Sequence, residues 1–276
     1  MTESTRRQAL QHYRQPAADA HAGLWLDKFI CNQGEKAFCP DDKDKKDRKE
    51  PKKRLVGEVA AIPEPKTYQP FYERWQKTLE RVCLVKPRLA TVQGRMVLGL
   101  GAEGVLETAV ALHRTYGTPM IPGSALKGLA ASYARQVLGW ETADEAYQII
   151  FGKVGSDVDN DFHAAGYLTF FDALYKPKSG WDADGKGHRA LHADVLTVHH
   201  QAYYRGDNAA PADWDSPVPV PMLSATGQYL MALTAPPGGE QWVKRTFELL
   251  GQALKHKGIG AKTSSGYGRM TLAHTA

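Results

Sequence analysis

Cysteine is scarce in this chain. There are three in 276 residues, Cys31, Cys39 and Cys83. So few exclude a disulfide framework and fit a reducing compartment, the cytoplasm. None stands in a C-x-x-C half-site, so no structural metal is expected. Long apolar runs are missing too. No stretch approaches the ~20 apolar residues that span a bilayer. The opening MTESTRRQALQHYRQ lacks the apolar centre of a signal peptide. No membrane partner is therefore expected. The phosphate-loop pattern GxxxxGK[ST] is also absent, and no cofactor is expected. Nor does one sign of charge dominate: 35 Lys and Arg face 30 Asp and Glu, a formal +5. That balance permits a nucleic-acid partner without requiring one.

What the chain does hold is uneven. Residues 41–54, DDKDKKDRKEPKKR, are almost wholly charged and lack apolar periodicity. They read as a solvated loop that folding can spare. Pro63, Pro65 and Pro70 then punctuate a connection. YERWQKTLERV after it reads as a short helix. Residues 1–80 thus read as an N-terminal extension outside the core, and 81–276 as the main domain. In the latter, 95–112 reads as two strand-like runs around a glycine-rich turn. Leu126, Leu129, Ala130, Tyr133 and Val137 recur at helical spacing, with Ser124 as N-cap and Gly139 as stop. A second helix is expected over about 141–150, and GYLTFFDA, from Gly166, reads as a buried strand. Residues 176–190 read as a loop. The proline-rich stretch from Pro211 to Leu223 cannot be a central strand for most of its length. TGQYLMALTA reads as a strand, and Trp242, Phe247, Leu250 and Leu254 mark a last helix. The order predicts an α+β fold with a mostly antiparallel sheet, ferredoxin-like with long insertions.

Two stretches carry candidate chemistry. In Gly123-Ser124-Ala125-Leu126-Lys127, a Ser124 cap would put Lys127 at the third helical position. A cation there opposes the helix dipole unless an anion binds. The plain alternative is a solvent-facing lysine. In GIGAKTSSGYG, Gly258, Gly260, Gly266 and Gly268 surround Lys262, Thr263, Ser264 and Ser265, with Tyr267 beside them. Glycine permits left-handed backbone and close approach to a ligand, and successive amides can form an anion nest. Tight turns alone would explain the same glycines. Two such cradles in a mildly basic chain point to a phosphodiester backbone. Tyr203, Tyr204 and Tyr267 offer stacking faces. A third stretch, ADVLTVHHQAYYR, holds Asp194, His199, His200 and Arg205. Its histidines alternate in direction if they lie on a strand, and no set there supplies base, acid and oxyanion stabiliser together. They are assigned to packing or subunit contact, and no catalytic residue is expected.

IPGSALKG (121–128), the FG pair at Phe151-Gly152 before GYLTFFDA (166–173), and GIGAKTSSGYG (258–268) together resemble the RAMP proteins of CRISPR systems. VLGLGAEGVLETAVALHRTYGTPMIPGSALKG, DVLTVHHQAYY and ADWDSPVPVPML narrow the resemblance to the family of the sixth Cmr subunit of type III-B effector complexes. It covers about residues 95–270; residues 1–80 match nothing in it. It implies a modified ferredoxin-like, RRM-related RAMP fold. It also implies a non-catalytic subunit of an antiviral ribonucleoprotein that grips the 3′ region of the guide RNA and caps the filament. The implied neighbours are the repeated backbone RAMP, the small helical subunit and another terminal RAMP. Target RNA is met only indirectly, since guide pairing reads sequence. Gly123, Ser124 and Lys127 would form one wall of the RNA site, and Gly258, Gly260, Lys262, Thr263, Ser264, Gly266 and Tyr267 the facing one. Some RAMP relatives instead cut CRISPR transcripts without metal, which makes a processing endonuclease the alternative.

Overall fold

The computed structural model describes residues 15–17, 19–29, 51–82, 86–102, 104, 106, 108–153, 164–181, 187–206 and 210–273. The three cysteines and residues 41–50 of the charged run lie outside these. The helices are α1 (Ala22–Lys28), α2 (Pro51–Ala61), α3 (Tyr68–Val82), α4 (Gly123–Gln136), α5 (Glu145–Phe151), α6 (Gln201–Arg205) and α7 (Glu240–His256). The strands, in chain order, are β1 (Arg88–Val92), β2 (Met120–Ile121), β3 (Gly152–Lys153), β4 (Ala164–Ala165), β5 (Thr169–Phe170), β6 (Ala173–Tyr175), β7 (Leu191–Val198), β8 (Val218–Ala225), β9 (Gln228–Met231), β10 (Leu233–Thr234) and β11 (Met270–Leu272).

The main sheet has the order β11-β1-β9-β6-β2, with every pairing antiparallel. Alternation along its strands gives each face its own residues. Ala90, Tyr229 and Tyr175 lie in register on one face, in the same buried cluster as Phe247, Leu250 and Leu254 of α7. Helix α4 packs on α7. On the other face Leu230 stands between Leu89 and Leu174. There α3 covers the sheet: Tyr72 and Leu79 pack with Leu174, Leu230 and Ala232, and Phe71, Trp75 and Phe171 lie at the margin. Tyr68, Phe71, Tyr72, Trp75 and Leu79 recur at helical spacing, so α3 turns one apolar stripe inward and leaves Glu73, Arg74, Lys77 and Glu80 to water.

The α+β class, the antiparallel sheet and the last helix agree with the sequence. Four local expectations do not. Over 95–112 the described residues form isolated bridges, Met96 to Ala225 and Leu112 to Pro119, instead of two regular strands. GYLTFFDA breaks into β5 and β6, because Asp172 turns out of the ladder to bond the start of α4. The proline-rich stretch, by contrast, behaves as expected: 211–217 form no strand, and from Val218 onward it pairs with β7 in a two-stranded arm, not at the centre of a sheet. Prolines fit there because Pro219 and Pro221 turn their nitrogens to the outer edge. Lys52, Lys53 and Arg54, which composition assigns to the charged loop, lie in the first turn of α2, where Arg54 bonds Glu58 at 2.9 Å. Finally, composition places residues 1–80 outside the core, yet Trp25, Leu55, Val56, Val59 and Tyr68 belong to its main buried cluster. Their apolar spacing is too short to register against the charged run among them.

The link between α2 and α3 is fastened by Glu64. Both its oxygens accept from the Lys178 amide, at 3.2 Å each. Burial pushes the Glu64 carboxyl up from its ordinary value; hydrogen bonds from Tyr175 and Lys178 oppose this only in part. A raised folded value makes the group most favourable to folding when protonated. Its contribution is full below the ordinary pKa of 4.5 and is lost as pH rises through the raised value. Glu64→Gln keeps an acceptor and removes the charge. The melting-temperature difference between Glu64→Gln and wild type should grow in favour of the variant as pH rises from 4.5 to 7. Glu64→Ala, which deletes the acceptor, should lose about 1 kcal/mol at neutral pH. A difference that stays flat with pH would rule out a charged, half-buried Glu64.

Candidate nucleic-acid interface

Helix α4 begins differently from its sequence reading. Pro122 is the N-cap and has no side chain to cap with. Ser124 is therefore not the cap but the second helical residue, and it is exposed. Lys127 is the fifth residue, not the third, and is half-buried. The cap comes from across the fold: the Gly123 amide donates to Asp172 Oδ1 at 2.7 Å. Asp172 thus supplies the negative charge that the helix start favours. Gly123 is fixed by packing, since a Cβ there would lie 2.1 Å from the Phe170 carbonyl oxygen. What this end presents outward is the Ser124 hydroxyl and the Lys127 ammonium. Lys127 makes no hydrogen bond or ion pair among the described residues.

The terminal loop starts where α7 stops. Gly258, at φ 76°, ends the helix, and its amide donates to the Ala253 carbonyl at 3.1 Å. The loop then closes on itself and lies along residues 95–97. Ile259 donates to Gly268, Ala261 to Val97 and Gly268 to Arg95, each at 2.8 Å. Two glycines make this approach possible. A Cβ on Gly260 would stand 2.1 Å from the Val97 carbonyl oxygen, and one on Gly268 would stand 1.9 Å from that of Ile259. The Ser265, Gly266 and Tyr267 amides turn back onto Lys262 and Thr263. Most of the expected amide nest is thus consumed internally. Side chains remain for a ligand. Lys262 and Ser264 are exposed and Thr263 is half-buried, at the rim of a short 3-10 turn over Thr263–Ser265. Lys262 has φ 59°, a left-handed conformation that costs a non-glycine residue roughly 1–2 kcal/mol. Its ammonium takes no partner among the described residues. No hydrogen bond or ion pair among them joins this loop to Gly123, Ser124 or Lys127.

Tyr267 is occupied. Its hydroxyl donates to Asp194 Oδ2 of β7 at 2.9 Å. Burial first, and then the bond and charge of Asp194, push the phenol up to about 12. Arg95 acts beside it, with Nη1 donating to Ser224 Oγ of β8 at 3.2 Å. The pair fastens the base of the β7–β8 arm to the terminal loop. Composition signals neither Arg95 nor Asp172, because each acts across a long sequence separation. The histidine pair lies away from the loop. Strand β7 ends at Val198, so His199 and His200 follow it instead of alternating on it. They stand five and six residues beyond Asp194, roughly 15–20 Å along an extended chain. His200 Nδ1 bonds Asp215 Oδ2 at 2.8 Å. That bond, aided by the Ala212 amide, holds the Asp215 carboxyl below its ordinary value. His192 is buried against Arg189 O and Thr226 Oγ1, each at 3.2 Å.

The RAMP superfamily matches residues 89–271, two structural layers with the terminal loop included. The chain belongs to the RAMP superfamily. This RAMP protein is 28% identical over 251 residues to the CRISPR system Cmr subunit Cmr6 of Pyrococcus furiosus, covering 74% of this chain and 72% of that one. Its fold matches a chain in the cryo-EM structure of a type III-B Cmr-beta complex bound to cognate target RNA, with a TM-score of 0.59 and 17% identity. That alignment covers 97% of this chain and 94% of the other. The crystal structure of Cmr6 from Pyrococcus furiosus aligns over 68% of this chain and 98% of its own, at 25% identity and a TM-score of 0.41. The antiparallel sheet with paired helices on one face is the modified ferredoxin-like RAMP fold. Among the described residues no helix is long and apolar enough to cross a membrane.

The loop's glycines separate by role. Gly266 has φ 91° but open space around it, so Gly266→Ala should cost about 1 kcal/mol of backbone strain alone. Gly260→Ala adds a clash with main chain and should cost on the order of 3 kcal/mol or more. Urea denaturation of the two variants reads the difference. Equal losses would show that the loop does not lie on Val97 as described.

Proposed function

We propose that this RAMP protein is a non-catalytic subunit of a type III-B CRISPR ribonucleoprotein, and that it holds the backbone of the 3′ region of the guide RNA at the end of the filament. The observation that carries the reading is Lys262: an exposed cation held in a strained conformation, without a protein partner among the described residues, on the loop that marks the family. Strain of this kind is kept where the side chain has a task. The ammonium, with Thr263 and Ser264, meets phosphate by charge and hydrogen bond and reads no sequence. Ser124 and Lys127 add a second phosphate contact from α4. Gly258, Gly260 and Gly266 shape the loop, and Gly123 lets α4 approach β5. Tyr267 holds the loop to the arm through Asp194. The likeness to Cmr6 supports the choice of complex. The partners are the guide RNA and neighbouring Cmr subunits, namely the repeated backbone RAMP, the small helical subunit and another terminal RAMP, with target RNA met through the guide. The place of work is the cytoplasm. Residues 81–276 form the family domain, and 1–80 an extension that supplies its second helical layer.

The histidines do not favour an endonuclease. His200 is engaged with Asp215, and no hydrogen bond or ion pair among the described residues joins either histidine to Lys262.

Lys262→Gly separates charge from backbone. It should relieve the left-handed strain and raise stability by about 1 kcal/mol. It should also weaken binding of single-stranded RNA equally for unrelated sequences. The slope of log K against log salt should fall by about 0.7 for each phosphate that is no longer neutralised. Lys127→Ala should act on the slope in the same way without stabilising. A Lys262→Gly protein that is more stable and binds RNA with an unchanged salt slope would remove this loop from the interface. In the same assay, cleavage of labelled repeat RNA in EDTA by the purified chain would favour the endonuclease.

A further inference from the structure

The β7–β8 arm carries chemistry that RNA holding does not use. Three aromatic side chains at its end lie open to solvent: Trp214 is 86% exposed, Tyr204 77% and Tyr203 53%. Their apolar faces are costly to leave in water unless something covers them. They are also held in place. His200, at the start of α6, bonds Asp215, next to Trp214, and the Ala212 amide donates to the same Asp215 oxygen at 3.2 Å. This ties the turn bearing Trp214 to the helix bearing Tyr203 and Tyr204, whose rings stand edge to face at 5.5 Å. A presented, braced aromatic set with an adjacent arginine, Arg205, has the composition of a protein-binding hot spot.

Charge decides between a protein and a nucleic acid. From Ala190 to Val243 the sequence has one arginine, Arg205, and no lysine, beside three histidines, His192, His199 and His200. Within the arm it has four aspartates, Asp194, Asp207, Asp213 and Asp215. In a chain of +5 overall, this is an acidic projection. A phosphodiester would be repelled by it, whereas a protein surface rich in Lys or Arg would be drawn to it. The outer edge of β8 adds a constraint. Ala225 pairs outward with Met96, and the Pro221 carbonyl accepts from Thr108 Oγ1 at 3.0 Å. Odd-numbered residues therefore face away from β7. Pro219 and Pro221 take those positions and offer no N–H, so this edge cannot accept an added strand.

We infer that the end of the arm docks by its side chains, through Trp214, Tyr203 and Tyr204, into an apolar groove with a basic rim on a neighbouring protein subunit. The inference rests on the proposed place of the chain in a ribonucleoprotein. It is tested with a photo-crosslinking phenylalanine in place of Tyr204 and, as a control, in place of exposed Lys244. Each chain is co-expressed with the other effector subunits and the guide, and the purified complex is irradiated. The expected result is a protease-sensitive, nuclease-resistant adduct from position 204 alone, to another subunit through a Lys- or Arg-bearing peptide. An adduct with RNA, an adduct between two copies of this chain, or yields no higher than at 244 would overturn the inference. Trp214→Ala with Tyr204→Ala should lower incorporation of the chain at least tenfold by native mass spectrometry. The affinity of the isolated chain for single-stranded RNA should not change; normal incorporation would again overturn the inference. If the unaltered chain joins no complex, the proposed function falls as well. If it joins and only the arm results fail, that function stands and the docking inference alone is refuted.

Discussion

Gly260 lies against Val97, and Gly268 against Ile259, at distances where no side chain fits. That close approach of main chain to main chain is the constraint from which the terminal-loop end of the molecule is built. It lays the terminal loop flat along residues 95–97 and consumes most of its amides. Lys262 is thereby turned outward at the rim. The same approach brings Tyr267 to Asp194 and Arg95 to Ser224, so the loop and the base of the arm are one fastened unit. Gly260 and Gly268 thus serve close approach to the protein's own backbone.

The remaining layers support that unit. Helix α7 delivers the chain to the loop, packed on the Tyr229 face of the sheet with α4 beside it. The opposite face, which a simple two-layer domain leaves open, is closed by α3 through Tyr72 and Leu79. On the proposed function, nucleic acid meets a rim of side chains, not the broad face of the sheet. The exposed Lys262 at the loop and the exposed aromatics of the arm are chemically distinct parts of the surface.

Much of this is legible in the sequence, for identifiable reasons. Phe247, Leu250 and Leu254 repeat at helical spacing, so α7 can be read directly. The clustering of Gly258, Gly260, Gly266 and Gly268 marks the loop, and its resemblance to the RAMP pattern names the family. What cannot be read depends on contacts distant in sequence. The start of α4 is set by Asp172, 49 residues from Gly123, so local capping preferences favour Ser124 wrongly. The N-terminal helices hide behind a charged run, yet Tyr68 donates to the Tyr175 carbonyl 107 residues away. Lys262 is visible as a cation, but its left-handed backbone and its unpaired ammonium among the described residues belong only to the fold.

The central claim is that RNA is held at the Lys262 rim and not at the arm. Hydrogen–deuterium exchange of the intact chain, with and without single-stranded RNA, tests it most directly. The account predicts slowed exchange over residues 262–264 and at the start of α4, with residues 199–215 unchanged. Slowed exchange confined to 199–215, with none at 262–264, would contradict it.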